Sequence, residues 1–174
     1  DFLESRFLSR FQRIEVDSEI PLEPLGGTPK RVEAAYPLAE GSDSSTSIII
    51  NWLTVPVENG EEALAMEVLS ELLLGHDGSA LSKALRESGL GEDLSPHCGL
   101  DTGFRQIIFT AGLRGTERGR ESDIEKLAFE TITKQVEMGF PKDRLEAALH
   151  SIAFSNREIK RGSGAYGMRL FNRA

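Results

Sequence analysis

Residues 72–93 are LLLGHDGSALSKALRESGLGED, and the remaining elements of the chain can be placed around them. The pattern predicts a helix that ends at Gly75, a tight turn over residues 76–78, and a second helix that begins near Ser79. We expect Gly75 and Gly89 to end the two helices, because glycine adopts positive φ at little cost. Ser79 is expected to cap the second helix by accepting a bond from a free backbone N–H. A strand should follow directly.

The first thirty residues predict an amphipathic helix and then a linker. Large apolar side chains recur through residues 1–14 at helical spacing, namely Phe2, Leu3, Phe7, Leu8, Phe11 and Ile14. We expect this helix to dock on the domain or on a neighbour. Three prolines and a pair of glycines follow within residues 21–29, and this composition favours an extended linker.

The rest of the chain predicts pairs of strands alternating with pairs of helices. In chain order these are strands at 31–37 and 46–55, helices at 59–75 and 79–89, strands at 94–100 and 106–113, and helices at 122–139 and 141–160. We expect residues 46–55 to form a central strand covered on both faces at one end. Residues 101–104 should form a hairpin turn, and Ser122 a capping box with Glu125. The order predicts an α+β fold in which helices pack on one face of an antiparallel-rich sheet.

Charge and composition exclude several classes of function. The chain has 20 basic and 28 acidic residues, a net charge of −8, which disfavours binding to nucleic acid or to an anionic membrane. No apolar run approaches the roughly 20 residues that a membrane-spanning helix needs. A single cysteine, Cys98, excludes an internal disulfide and fits a reducing compartment, such as the bacterial cytoplasm or an organelle matrix. We interpret Cys98 as a half-buried strand thiol. The chain lacks an initiator Met, and both its ends look cut, so we interpret it as part of a longer protein.

No catalytic motif emerges from the residues themselves. The three histidines, His76, His97 and His150, are far apart, and no His-x-x-x-His or Cys-x-x-Cys pattern is present. There is no Gly-x-Ser-x-Gly motif, which leaves a small hydrolase using His76 and Ser79 as a weak alternative. Residues 162–167 are rich in glycine but lack the following Lys-Ser or Lys-Thr of a phosphate loop, so a hinge or a helix break is favoured.

Several segments resemble the pitrilysin/insulinase metallopeptidases. Residues 73–94 resemble the helix–turn–helix–strand unit of that family, and residues 14–21, 144–159 and 162–167 are similar to its presequence protease branch. The resemblance implies four homologous α+β domains in two halves that close around a peptide. It also implies a zinc ion held in the first domain by an inverted His-x-x-Glu-His motif, which this chain lacks.

By this resemblance the chain corresponds to the second, non-catalytic domain. Residues 1–16 would be the last helix of the preceding domain, 17–30 a linker, and 31–174 a domain truncated at its C-terminal end. We expect no catalytic residue and no metal ligand here. The expected partners are a peptide substrate and other domains of the same parent chain, with no nucleic acid and no membrane.

The resemblance also implies one substrate-binding site. Members of the family use the matching glycine-bounded turn and the strand after it to hold the N-terminal segment of a substrate. The corresponding residues here are Gly75, His76, Asp77 and Gly78, followed by Leu94, Pro96 and Cys98. An exposed strand edge can add a peptide strand, and Asp77 could hold its terminal ammonium, although Pro96 removes one donor. The alternative is a structural or assembly domain of the same fold without a peptidase function.

Overall fold

The computed structural model describes residues 1–37 and 46–158. In chain order its elements are α1 (Phe2–Arg6), a 3-10 helix (Leu8–Arg10), β1 (Thr46–Pro56), α2 (Gly60–Leu74), α3 (Ala80–Glu87), β2 (Asp93–Leu94), β3 (Gly99–Asp101), β4 (Gln106–Thr116), α4 (Glu121–Met138) and α5 (Lys142–Arg157). No helix in these ranges is both long enough and apolar enough to span a membrane. The predicted glycine break at residues 162–167 lies outside the described residues.

The middle strand of the sheet is β4, which pairs antiparallel with β1 on one side and with β2 and β3 on the other. The prediction that residues 46–55 form the central strand is therefore wrong for the described part of the chain. The apolar run 48–50 suggested burial on both faces, but Ile49 remains 39% exposed. The two strands approach closely at Gly112, where a Cβ would lie 2.1 Å from the carbonyl oxygen of Ile48.

The helices cover one face of this sheet, which confirms the predicted α+β fold. On that face Ile48, Ile50 and Trp52 of β1 lie opposite Leu113, Ala111 and Phe109 of β4. Leu73 of α2, Leu81 and Leu85 of α3, and Ile124 and Ala128 of α4 complete the buried cluster. Burying each of the large side chains contributes about 1.5–3 kcal/mol, so this cluster dominates the stability of the domain.

Helix α5 packs on α2 and forms an outer layer. Val68 of α2 and Ala148 and Ile152 of α5 make a second, smaller buried cluster, with Leu72 against it. The helix ends follow the sequence at some positions and depart from it at others. Gly89 (φ 67°) and Gly139 (φ 69°) adopt positive φ as expected for residues that end helices. Gly75 instead stays right-handed at φ −62°.

Two predicted elements of the N-terminal region differ in the structure. Residues 31–37 form no strand: Val32 is 88% exposed, and the segment is attached through the Arg31–Glu125 ion pair. A strand needs a ladder of backbone hydrogen bonds, and the described sheet is built from β1, β2, β3 and β4 without this segment. The hydrogen bond that joins it to β1 runs between side chains, Tyr36 Oη and Ser47 Oγ, at 3.5 Å. The helix predicted for residues 1–14 is limited to α1 and the 3-10 turn. Its apolar side chains are exposed, and a short helix gains little stability without a packed face.

The linker predicted at residues 17–30 has no helix or strand, yet it is attached to the sheet. The side-chain amide of Gln106, the first residue of β4, bonds the backbone of Glu23 twice. Its Oε1 accepts from the Glu23 N–H at 2.7 Å, and its Nε2 donates to the Glu23 carbonyl at 3.1 Å. Arg105 also donates to the carbonyl of Ile20. The linker therefore has a fixed path along one end of β4.

Candidate functional site

The turn between α2 and α3 is built around the buried hydroxyl of Ser79. This hydroxyl donates to the carbonyl of Glu71 at 3.3 Å and accepts from the backbone N–H of His76 at 3.2 Å. Ser79 therefore ties the end of α2 to the turn and does not cap α3 with its side chain, contrary to prediction. Both hydroxyl bonds go to backbone groups and Ser79 is only 3% exposed, so a Ser79 nucleophile activated by the His76 ring has no support.

The ring of His76 is held in place by the turn itself. Its Nδ1 accepts a bond from the backbone N–H of Gly78 at 3.1 Å. A Cβ on residue 78 would lie 3.3 Å from the ring, so the glycine lets the imidazole lie close to the backbone of the turn. The other ring nitrogen, Nε2, lies 3.4 Å from Nη1 of Arg144 in the first turn of α5. The turn therefore directs the imidazole toward α5.

Asp77 points to a different group of side chains. Its Oδ1 lies 3.5 Å from Nε of Arg86, and its side chain is 89% exposed. Arg86 also pairs with Asp93, whose second carboxylate oxygen lies 3.2 Å from Nη2 of Arg114. The four side chains form an alternating row of charges that connects the turn, α3, β2 and β4.

Asp93 is the carboxylate that holds this row together. The backbone N–H of Leu94 donates to its Oδ1 at 2.8 Å, and Arg114 donates to its Oδ2. These two hydrogen bonds, together with the nearby charge of Arg86, lower the pKa of Asp93 below its ordinary value. Asp93 therefore stays ionised at neutral pH and keeps both arginines attached.

The strand predicted at residues 94–100 is interrupted. Leu94 ends β2, residues 95–98 form a turn, and β3 begins at Gly99. Pro96 and Cys98 therefore lie on the turn and not on a strand. Pro96 cannot donate to a ladder, and the N–H of Cys98 bonds the carbonyl of Ser95 at 3.0 Å, which closes the turn.

Cys98 is half-buried, as predicted, and it serves a local structural role. Its thiol donates to the carbonyl of Gly112 at 3.3 Å. Burial raises the pKa of the Cys98 thiol, so the reactive thiolate is disfavoured at neutral pH. The side chain attaches the turn to the central strand, where it acts as a small buried group.

The backbone donors along residues 94–98 are already used. The N–H of Leu94 bonds Asp93, that of Ser95 bonds the Gly112 carbonyl, that of His97 bonds the Ser95 hydroxyl, and Cys98 bonds Ser95. Pro96 has no N–H. A peptide added to this edge as a strand would have to displace these local bonds.

The predicted site residues divide between two clefts. The first, which we call the His76 cleft, has a volume of about 660 Å³ and is lined by His76, Gly78, Ser79, Met138, Phe140 and Arg144, among others. The second, the Arg86 cleft, has about 570 Å³ and is lined by Arg86, Asp93, Leu94, Pro96, Cys98 and Arg114, among others. Gly75 lines neither cleft, and Asp77 joins the second through Arg86.

The arginines of both clefts were missed by reasoning from the sequence. Arg144 lies 68 positions from His76, so no local spacing connects them. One signal was available: a cation in the first turn of a helix opposes the helix dipole, which suggests that Arg144 is placed there for another reason. Within residues 1–37 and 46–158, no group of three or more His, Cys, Asp or Glu side chains is arranged to hold a metal ion. The described residues therefore do not fit a zinc centre.

Comparison with known proteins places this architecture in a family. The sequence matches the family model described as the peptidase M16 inactive domain over residues 2–152. It is 32% identical to the mitochondrial presequence protease of Mus musculus over 94% of this chain, and 35% identical to presequence protease 1, chloroplastic/mitochondrial, of Arabidopsis thaliana over 88%. It is also 29% identical to protein HypA of Clostridium perfringens over 97%.

These relatives are much longer than the chain, which spans 16%, 14% and 17% of their respective lengths. The match nevertheless covers most of the described residues, including both clefts and the turn that joins them. The chain belongs to the peptidase M16 inactive domain family.

Proposed function

We propose that the chain is the non-catalytic domain of a zinc-dependent peptidase that degrades peptides and unfolded segments. Its membership of an inactive-domain family carries the proposal. Proteins with a matching segment are named presequence proteases, and the chain spans about a sixth of their length. In this proposal zinc and the catalytic groups belong to other parts of the parent protein. The mitochondrial and chloroplastic names of the relatives favour an organelle matrix, and the bacterial relative favours the cytoplasm.

Within the parent, the domain would help to enclose a substrate chamber together with other domains. The surfaces available for such contacts are apolar and exposed. Ile49 and Leu53 lie on the sheet face that the helices leave open, and Phe2, Phe7 and Phe11 line the N-terminal segment. Exposed apolar side chains of this number favour contact with further protein.

The domain would also hold substrate at the turn over residues 75–78 and along Leu94, Pro96 and Cys98. Asp77 supplies a carboxylate for the terminal ammonium of a peptide, and its side chain is almost fully exposed. Nε of Arg86 lies 3.5 Å from this carboxylate and competes with the ammonium for it. The ammonium therefore adds binding free energy only if the carboxylate contacts both cations at once. With the backbone donors of residues 94–98 in use, side-chain contacts in the Arg86 cleft would carry the remaining recognition.

Peptide binding to the chain tests this proposal. A short apolar peptide amide with a free N-terminus should bind more tightly than its N-acetylated form, and Asp77→Asn should remove the difference. Glu61→Gln, an acidic surface position in the first turn of α2, is the matched control. Titration followed by NMR measures both affinities. Equal binding of the two peptides to the unmodified chain would contradict the anchoring role of Asp77.

A second measurement addresses the non-catalytic role. The chain by itself should cleave no peptide, and metal analysis should find no stoichiometric zinc. One zinc per chain that is lost on His76→Ala or His97→Ala would overturn the proposal. The alternative, a structural or assembly domain of this fold, predicts that no peptide shifts any resonance of either cleft.

A further inference from the structure

Two hydrogen-bond donors face each other at the mouth of the His76 cleft. Because Nδ1 of His76 accepts the Gly78 N–H, Nδ1 carries no proton, and the proton of the ring lies on Nε2. Nη1 of Arg144 lies 3.4 Å from Nε2 and can only donate. Two N–H donors whose nitrogens lie 3.4 Å apart cannot bond each other, and one acceptor bonded to both would satisfy them, with a negatively charged acceptor favoured most.

The structure offers no such acceptor from its own described residues. The guanidinium of Arg144 has no carboxylate within 4.0 Å in residues 1–37 and 46–158, whereas Arg86 and Arg114 of the other cleft are both paired. Glu71 is the only acidic side chain among the described residues that line the His76 cleft, and its carboxylate lies against Gly75. The cationic end of the cleft is therefore available to a ligand.

An apolar surface adjoins this cationic end. Leu72 of α2, Met138 and Phe140 around the end of α4, and Pro141, Ala147 and Ala148 around α5 line the same cleft. Arg144 and Ala148 are four residues apart on one helix, so they share a face and their Cβ atoms lie about 5–6 Å apart. A ligand must therefore present an anionic group and an apolar group within a few ångströms of each other.

We propose that the His76 cleft binds the C-terminal carboxylate of a peptide whose last side chain is apolar. This proposal rests on the proposed function, since it supposes that the domain binds peptides, and it specifies which end of the peptide this cleft takes. In a terminal residue the carboxylate and the side chain share one Cα, which matches the short span between the two donors and the apolar wall. Arg144 and the Nε2–H of His76 bind the carboxylate, and the wall takes the side chain.

Glu71 limits the charge that the cleft accepts. A second negative group on the ligand would approach its carboxylate, so a single carboxylate is preferred over a dianion such as a phosphate monoester.

The turn fixes the orientation of the His76 ring. The ring of His76 cannot rotate without losing the Gly78 bond, so the Nε2–H donor is already oriented before a ligand arrives.

The test compares three N-acetylated peptides, so that no terminal ammonium can engage Asp77. The first is acetyl-Ala-Ala-Phe with a free carboxylate, the second is the same peptide as its C-terminal amide, and the third is acetyl-Ala-Asp-Phe amide. Binding is measured by NMR titration of the 15N-labelled chain. The free acid should bind about tenfold more tightly than its amide and more tightly than the peptide with an acidic side chain. Equal binding of acid and amide, or tighter binding of the acidic side chain, would overturn the proposal.

Two variants test the hydrogen-bond donors of the cleft one at a time. Arg144→Leu should reduce the affinity for the acid to that for the amide. His76→Asn keeps a side-chain acceptor for the Gly78 N–H, as Asp101 does for Gly103 at 2.8 Å, but has no donor that reaches the carboxylate. It should therefore weaken binding of the acid while the turn remains folded. Arg157→Leu, in the last turn of the same helix and away from the cleft, is the matched control and should retain the preference. An acid preference that survives Arg144→Leu would contradict the assignment.

The outcomes also separate this inference from the proposed function. A peptide amide with a free N-terminus that binds through Asp77, combined with no preference for a C-terminal carboxylate, would overturn the inference alone. A chain that binds no peptide of either kind would overturn the anchoring function and the inference together. The Nε2–H tautomer of His76 gives an independent check by long-range 15N–1H spectra, and a proton found on Nδ1 would remove the geometric basis of the inference.

Discussion

The His76 cleft and the Arg86 cleft share one turn and contain similar numbers of charged groups, but these groups are arranged in opposite ways. In the Arg86 cleft every charge in the row from Asp77 to Arg114 has an opposite neighbour. In the His76 cleft the imidazole donor and the guanidinium face each other. The comparison indicates that the first set of charges orders the backbone around it, while the guanidinium of the second set has no carboxylate partner among the described residues.

The ion pairs of the Arg86 cleft hold a backbone segment that is in neither a helix nor a strand. Residues 95–98 form a turn between two very short strands, and Asp93 attaches the start of this turn to α3 and to β4 at once. Exposed ion pairs contribute about 0–1 kcal/mol each, so their effect here is local order more than global stability. The open charges of the His76 cleft sit on α5 and on a turn already fixed by Ser79 and Gly78, and they contribute nothing comparable to the fold.

The largest effect is expected from Leu85→Ala, which should disturb both clefts together. Leu85 is fully buried in α3, the helix that carries Arg86 and begins at the turn. Removing it leaves a cavity in the main core, and the free energy of unfolding should fall by about 2–5 kcal/mol. Urea denaturation measures the change, and Leu64→Ala, at a position 47% exposed, should cost much less.

Ser79→Ala should have an intermediate effect that is confined to the turn. The change removes two hydrogen bonds and leaves the N–H of His76 without its partner, at a cost of about 1–3 kcal/mol. The resonances of His76 should shift while those of the Arg86 cleft change little. Ser122→Ala is the control, because α4 begins at Glu121 and the hydroxyl of Ser122 is not needed to cap it. If Ser122→Ala lowered the free energy of unfolding as much as Ser79→Ala does, that result would support the predicted capping box between Ser122 and Glu125.

Asp93→Asn should remove a pH dependence from the Arg86 cleft. The folded-state pKa of Asp93 lies below its unfolded value, so its contribution to stability is present above the unfolded pKa, about 4. That contribution is lost as the pH falls from about 4 through the lowered folded pKa. The variant should therefore lose less stability than the unmodified chain on acidification through this range. Denaturation midpoints at a series of pH values measure this, and high salt should reduce the difference.

The smallest effect is expected from Glu71→Gln, which sharpens the contrast between the clefts. Removing the only acidic side chain among the described lining residues makes the His76 cleft more positive. Affinity for the C-terminal carboxylate of a peptide should rise by about two- to fivefold, while affinity for the corresponding amide stays the same. Glu67→Gln, one turn earlier on α2, is the matched control. A gain that the amide shares equally would show that the change acts through packing and not through charge.

Sequence reasoning found the elements whose signals are local. Periodic apolar positions located α2, α3, α4 and α5, and the turn between β3 and β4 followed from residues 101–104. The hairpin forms, although Gly103 does not use positive φ there; its N–H instead bonds the carboxylate of Asp101. These features depend on neighbours a few residues away, which the sequence displays directly.

Features that depend on distant neighbours were missed or misplaced. An apolar run at residues 48–50 cannot show whether one strand or two lie beside it, so β1 was expected at the centre of the sheet. The alternating pattern of residues 31–37 produces a strand only where the edge of a sheet is available to pair with it. The His76–Arg144 pair joins a turn to a helix in a different layer, and neither residue carries a signal for the other. Pro96 did signal the interruption near β2, because it lacks the donor that a continued strand needs.

Two hydrogen bonds between the side chain of Gln106 and the backbone of Glu23 attach the linker to the central strand. The side-chain amide bonds both the N–H and the carbonyl of Glu23, as the backbone of a neighbouring strand would, so residue 23 is held at the first residue of β4. Arg114 lies eight residues further along β4, about 27 Å away, and its guanidinium holds Asp93 in the Arg86 cleft. One strand thus connects the linker, at its first residue, with the Arg86 cleft, near its other end.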